Sequence, residues 1–172
     1  MNEIETLSSK VGKELTKLNW TITTAESCTG GGISAAITEV AGSSAYFQRA
    51  FITYSNEAKA EMLGIPSNKI EQHGAVSQFT VEAMAQQALT KAQANVAIAV
   101  SGIAGPSGGS IEKPIGTVWL AIAIQYLLDG KLKSTVYSHC FKFSGSRRDV
   151  RDETIISSLN NALELINGKI IE

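Results

Sequence analysis

The segment Ala25-Glu26-Ser27-Cys28-Thr29-Gly30-Gly31-Gly32 follows a β-rich run, Trp20–Thr24, and opens a helical repeat of Ile33, Ala36, Ile37 and Val40 that Gly42 ends. A glycine-rich strand-to-helix turn suits two kinds of chemistry. Glycines let the backbone turn sharply and approach a ligand. The N–H groups at the helix start favour a phosphate or a developing oxyanion. Ser27 there has the position of a nucleophile, and equally that of a hydroxyl in a plain turn. A nucleophilic serine needs a base. The two histidines, His73 and His139, show neither that placement nor metal-ligand spacing, and read as ordinary turn or strand residues. Lys59 can serve if burial keeps its amine neutral, because desolvation disfavours the ammonium; taken alone it reads as a solvated helix lysine. Tyr54 is placed to orient that lysine or relay a proton. Cys28 adjoins Ser27 but has no base partner in view, so a catalytic thiol is the weaker reading.

Two further segments carry unusual chemistry. The loop Ser101–Gly109 holds four of the 15 glycines, yet lacks the Lys-Ser/Thr ending of a nucleotide-triphosphate loop, so ATP binding is not indicated. Arg147 stands at a helix start, against the dipole preference for anions there. It either holds an anion or forms a surface salt bridge.

These residues meet only if the surrounding elements bring them together. Ile4, Leu7, Val11, Leu15 and Leu18 form one apolar stripe, which predicts a first helix. Tyr46–Tyr54 reads as a second strand, followed by Ser55 as the cap of a short helix through Lys59 to Leu63. Ser67–Gly74 reads as a loop or brief helical turn, and Phe79–Ala94 as a helix of high propensity. Val96–Val100 has the continuous apolar pattern of a strand buried on both faces. Gly116–Gln125 and Lys133–Phe143 read as two more strands, antiparallel across the Asp129-Gly130 hairpin signal. Ser146 and Asp149 form a capping-box pattern for a last helix that ends near Asn167-Gly168.

Five strands among helices predict a three-layer α/β/α sandwich with a mixed, mostly parallel five-stranded sheet, in a single domain over residues 1–172. A right-handed βαβ unit puts the carboxyl ends of the first two strands on one edge. Ser27 and Lys59, thirty-two residues apart, then approach each other. If the third and fifth strands run the same way, the Ser101–Gly109 loop and Arg147 emerge there too. Open α/β sheets bind ligands at that edge.

Composition bounds the function. The 172 residues carry 15 basic and 16 acidic side chains, a net charge of −1, which argues against a nucleic-acid surface. Met1–Lys10 has no apolar signal core, and no apolar run approaches the ~20 residues of a membrane span. Cys28 and Cys140 lie far apart, without zinc or disulfide spacing. A cytoplasmic location is the expectation.

Across nearly its whole length the sequence resembles the CinA C-terminal domain family. The likeness rests on Ala25-Glu26-Ser27-Cys28-Thr29-Gly30-Gly31 and Thr53-Tyr54-Ser55-Asn56-Glu57-Ala58-Lys59. It continues through Gly74-Ala75-Val76-Ser77, Gly102-Ile103-Ala104-Gly105-Pro106, Gly108-Gly109, Gly116-Thr117-Val118 and the Gly145, Arg147 and Arg151 pattern. The resemblance implies hydrolysis of the carboxamide of nicotinamide mononucleotide to nicotinate mononucleotide and ammonia. It implies Ser27 as nucleophile, Lys59 as base and Tyr54 as assistant. Thr29, Gly30, Gly31, Ser101, Gly102, Gly105 and Arg147 are the expected substrate-binding residues, with backbone N–H groups around Thr29–Gly31 holding the oxyanion. Ser101 departs from the family's usual threonine and loses the methyl that restricts its rotamer. Arg151 is the lesser claimant to the arginine role. The implied partner is a small nucleotide substrate, with no metal, organic cofactor, nucleic acid or membrane. A homodimer or higher homo-oligomer is implied, as is a single-domain form without the molybdopterin-binding-like domain of longer members. The rival reading is a nucleotide-binding regulatory module, linked to competence or DNA-damage responses, with no turnover.

Overall fold

The computed structural model describes residues 2–171. Helix α1 spans Glu3–Leu18, and its capping box joins Asn2 and Glu5 through bonds of 2.9 and 3.0 Å. Its apolar stripe is buried at Leu7, Val11 and Leu15, with Ile4 and Leu18 at the margin of the same core. Each fully buried side chain of this kind contributes about 1.5–3 kcal/mol, so the stripe, rather than helix propensity, fixes α1.

The sheet has the order β2 (Phe51–Ile52), β1 (Ile22–Glu26), β3 (Val96–Gly102), β4 (Thr117–Leu128) and β5 (Lys131–Lys142). Strand β1 is parallel to β2 and β3, whereas β4 is antiparallel to β3 and β5. All strands except β4 therefore end on one edge, as the sequence predicts. The β4–β5 hairpin turns at Asp129 and Gly130, with φ of 51° and 72°, the twist that matches flanking strands.

Helices α1, α2 (Gly32–Thr38) and α6 (Arg147–Ile171) cover one face; α3 (Asn56–Leu63), α4 (Ser67–His73) and α5 (Gln78–Ala92) cover the other. The period of two sorts the sheet residues between them. Val96, Ile98 and Val100 of β3, with Leu120, Ile122 and Ile124 of β4, face the first layer. Ala97, Ala99, Ala121 and Ala123 face the second, where Ala85 and Ala88 let α5 approach closely. The architecture is the expected three-layer α/β/α sandwich.

Three expectations are corrected. The strand expected over Tyr46–Tyr54 shrinks to Phe51–Ile52, with only an isolated bridge from Ile22 to Phe47 before it. Tyr46 is buried against Gly12 of α1, so this stretch packs on the helix layer instead of extending the sheet. Ser67–His73 is a two-turn helix, begun after Pro66 and anchored by buried Ile70. The last helix runs past Asn167-Gly168 to Ile171, because Gly168 does not take the positive φ that stops a helix.

Gly116 joins the start of β4 to the end of β5: its carbonyl accepts from Phe143 N–H at 2.9 Å. Its φ is +90°, and a Cβ there would fall onto the Phe143 carbonyl oxygen. Gly116→Ala is expected to destabilise the fold by about 3 kcal/mol or more, read as a lower urea midpoint.

Candidate active site

The site forms where strands β1, β2, β3 and β5 end. Ser27 follows β1 directly, and its N–H donates to Val100 O of β3 at 3.1 Å. It is 8% exposed and thus largely shielded from bulk water. Lys59 lies in the first turn of α3, whose cap is Ser55, accepting from Ala58 N–H at 3.0 Å. That cap starts the helix so that Lys59 points inward. Its Nζ stands 3.2 Å from Ser27 Oγ and donates to Thr53 O at 2.9 Å.

Lys59 is 1% exposed, and among the described residues it has no carboxylate partner. Burial lowers its pKa below the ordinary lysine value, opposed by the charge that Cys28 would carry as thiolate. A neutral amine there donates to the Thr53 carbonyl and offers its lone pair to the Ser27 proton. That is the arrangement a serine needs from a base. The Cys28 thiol, also buried, is pushed up to about 11, chiefly by desolvation. It is a neutral packing group beside the serine, and the thiol reading loses its physical basis.

Tyr54 does not reach the lysine. Its side chain is 60% exposed, and its hydroxyl accepts from Arg147 Nη2 at 2.9 Å. The orienting group for Lys59 is instead the backbone carbonyl of Thr53, a role that its side-chain type does not signal. Arg147 also donates from Nη1 to Gly105 O at 2.8 Å, tying the start of α6 to the loop after β3. The capping box below it is present: Ser146 N–H donates to Asp149 Oδ2 at 2.6 Å, and Asp149 N–H to Ser146 Oγ at 3.3 Å. Bonding to Ser146, first through the side chain and then the backbone, lowers the Asp149 pKa.

The expected oxyanion donors need correction. Gly30 N–H donates to Ser27 O at 3.0 Å, and Gly31 N–H to Glu26 Oε2 at 3.1 Å. Both are committed to the turn itself, which the positive φ of Gly30 and Gly31, 58° and 100°, makes possible. The N–H groups of Cys28 and Thr29 make no backbone or side-chain hydrogen bond to another described residue, and they are the donors available. Glu26, buried immediately before Ser27, also takes the N–H groups of Ile33 and Ser34 at 3.0 and 2.8 Å. The helix start therefore already holds an anion, its own glutamate, and is closed to a phosphate.

The remaining binding candidates divide. Ser101 is buried and donates to Ala75 O at 2.7 Å, so its hydroxyl braces the loop before α5. Gly102 is a packing position: a Cβ would lie 2.6 Å from Val118 Cγ2. Gly105 has a φ of +80° and presents its carbonyl to Arg147. Beyond it, an open depression of about 650 Å³ lies over Pro106–Ser110, Pro114 and Ile115. Arg151 donates to Thr29 O at 2.9 Å and is structural to the turn. Among the described residues no group of three His, Cys, Asp or Glu side chains is placed to hold a metal, and no helix is long and apolar enough to cross a membrane.

Fold and site together define an α/β/α sandwich with a buried Ser–Lys pair at the carboxyl ends of its parallel strands. Residues 4–168 match the model of the CinA C-terminal domain, and the chain belongs to that family. It is 49% identical over 165 residues to the nicotinamide-nucleotide amidohydrolase PncC of Pseudomonas putida, covering 96% of this chain and 98% of that protein. The protein of the same name from Escherichia coli K12 is 48% identical over 158 residues, covering 92% of each. The crystal structure of competence/damage inducible protein CihA from Agrobacterium tumefaciens is similar with a TM-score of 0.84 at 41% identity, covering 97% of each chain.

Proposed function

We propose that this protein hydrolyses the carboxamide of nicotinamide mononucleotide, giving nicotinate mononucleotide and ammonia through an acyl-enzyme on Ser27. The observation that carries the reading is the Lys59 amine, 3.2 Å from Ser27 Oγ and cut off from water. The substrate comes from the names of the relatives.

Lys59 takes the Ser27 proton as Oγ bonds to the amide carbon. The N–H groups of Cys28 and Thr29 receive the charge that develops on the carbonyl oxygen. Lys59 then returns the proton to the leaving nitrogen as the C–N bond breaks, and ammonia departs. Water, deprotonated by the same amine, adds to the acyl carbon, and the bond to Ser27 Oγ breaks as Lys59 returns that proton to the oxygen. Tyr54 acts through Arg147 rather than through the lysine, holding the guanidinium over the Gly105 loop where the nucleotide's anionic end is received.

The direct test is ammonia release from nicotinamide mononucleotide by the wild-type protein. Tight binding without release over long incubation would replace this reading with a regulatory nucleotide-binding module. Arg147→Ala is expected to lower kcat/KM for the nucleotide by about 10–100-fold, the worth of a hydrogen bond to a charged group. For nicotinamide riboside, which lacks the phosphate, the loss is expected to stay within about threefold. Equal losses on both substrates would make Arg147 a brace for the Gly105 loop and nothing more.

A further inference from the structure

We infer that Glu26 is a positioning residue for the nucleophile, an internal anion that sets the geometry of the whole Ser27 turn. The inference rests on the proposed role of Ser27 and extends it to a residue that touches neither Ser27 Oγ nor Lys59.

Glu26 is the last residue of β1 and is fully buried. Strand alternation puts it on the face with Ile22 and Thr24, beneath α2. Oε2 accepts from Thr29 Oγ1 at 2.6 Å, Gly31 N–H at 3.1 Å and Ile33 N–H at 3.0 Å. Oε1 accepts from Ser34 N–H at 2.8 Å, Ser34 Oγ at 2.6 Å and Thr24 Oγ1 at 3.1 Å. An ordinary helix cap satisfies one or two N–H groups from the residue just before the helix. This carboxylate gathers donors from the strand, the turn and the first turn of the helix at once.

The nucleophile lies inside that loop of bonds. Glu26 and the donors at 29, 31, 33 and 34 enclose Ser27 and Cys28, whose own side chains take no part. From the other side Arg151 Nη2 donates to Thr29 O at 2.9 Å. Thr29 is thus fixed at both its hydroxyl and its carbonyl, which leaves its N–H with a set direction. A shift of the turn moves Ser27 Oγ relative to Lys59 Nζ and the free N–H groups together. Displacement of about 1 Å in such a site lowers rates by about a hundredfold.

Glu26→Gln tests this with the shape preserved. The amide keeps one carbonyl oxygen, and the hydroxyls of Thr24 and Ser34 can rotate to accept its protons. The Ser34 N–H and one hydroxyl proton of the Thr24–Ser34 pair lose their acceptor. The probe is a serine-reactive fluorophosphonate on the full chain, with Ser27 labelling followed by mass spectrometry. The expected result is full labelling stoichiometry with a rate constant about 10–100-fold lower per labelled site, and kcat for the nucleotide falling while KM stays within about threefold. Full stoichiometry at an unchanged rate overturns the proposal. Reduced stoichiometry with a normal rate in the labelled fraction also overturns it, because that is the signature of partial unfolding alone.

If Glu26→Gln does not fold, Ser34→Ala decides, since it keeps the carboxylate and removes one donor. About tenfold slower labelling is then expected, the lower end of the worth of one hydrogen bond to a charged group, and an unchanged rate overturns the idea. A wild-type Ser27 that resists labelling and can be replaced without loss of turnover would refute the nucleophile itself, and this inference with it. A reactive wild-type Ser27 with an indifferent Glu26 refutes this inference alone.

Discussion

Ser27→Ala is expected to reduce ammonia release from nicotinamide mononucleotide by at least about 10⁴-fold, while the protein stays folded. The size follows from what is removed. Without Oγ there is no acyl-enzyme, and the Cys28 thiol beside it cannot substitute. Burial holds that thiol near 11, so almost none is thiolate at neutral pH. The residual rate then comes only from binding and from the Cys28 and Thr29 N–H groups acting on water attack. The substitution deletes one oxygen from a residue that is 8% exposed, and its N–H bond to Val100 O is kept. Circular dichroism and the thermal midpoint are expected to match the wild type. Near-normal turnover in a folded Ser27→Ala protein would remove the covalent mechanism.

Most of what places Ser27 was legible in the residue pattern. The apolar stripe of α1, the wholly buried run of β3 and the Asp-Gly hairpin are local signals with one structural solution each. Strand direction then followed from handedness, and with it the meeting of Ser27 and Lys59. What escaped was set by tertiary contacts. Tyr46 looks like a strand residue but is drawn into the core against Gly12, so β2 is reduced to Phe51–Ile52. Glycine N–H groups at a helix start look free for a ligand. Whether a neighbouring acid already occupies them depends on the rotamer and burial of Glu26. The sequence did carry a hint: an acid at the end of an apolar strand, followed by hydroxyl and glycine residues, must find donors nearby. Thr53 gave none, since it acts through its carbonyl and any residue supplies one.

Lys59 carries the second large effect, and its pH dependence separates a base from a mere neighbour. Burial lowers its pKa, so the neutral amine becomes available below the range of an exposed lysine, about 10.4. The value of kcat/KM is expected to rise with pH as Lys59 deprotonates and to level off before that range is reached. Lys59→Arg keeps a cation but cannot give up its proton, so activity falls by about 10²–10⁴-fold without a rising limb. Stability carries the same titration with a definite sign. Between the folded pKa and the unfolded value, the unfolded chain binds more protons than the native one, so wild-type stability rises with pH there. Below the folded pKa the native state bears the full cost of a buried ammonium with no acidic partner among the described residues. Lys59→Met has no such group. Urea titrations should therefore show wild type gaining on Lys59→Met as pH climbs through that window, whatever their offset at neutral pH. A difference independent of pH would mean that Lys59 titrates alike in both states, and a lysine of that kind is protonated at neutral pH and unable to serve as the base for Ser27.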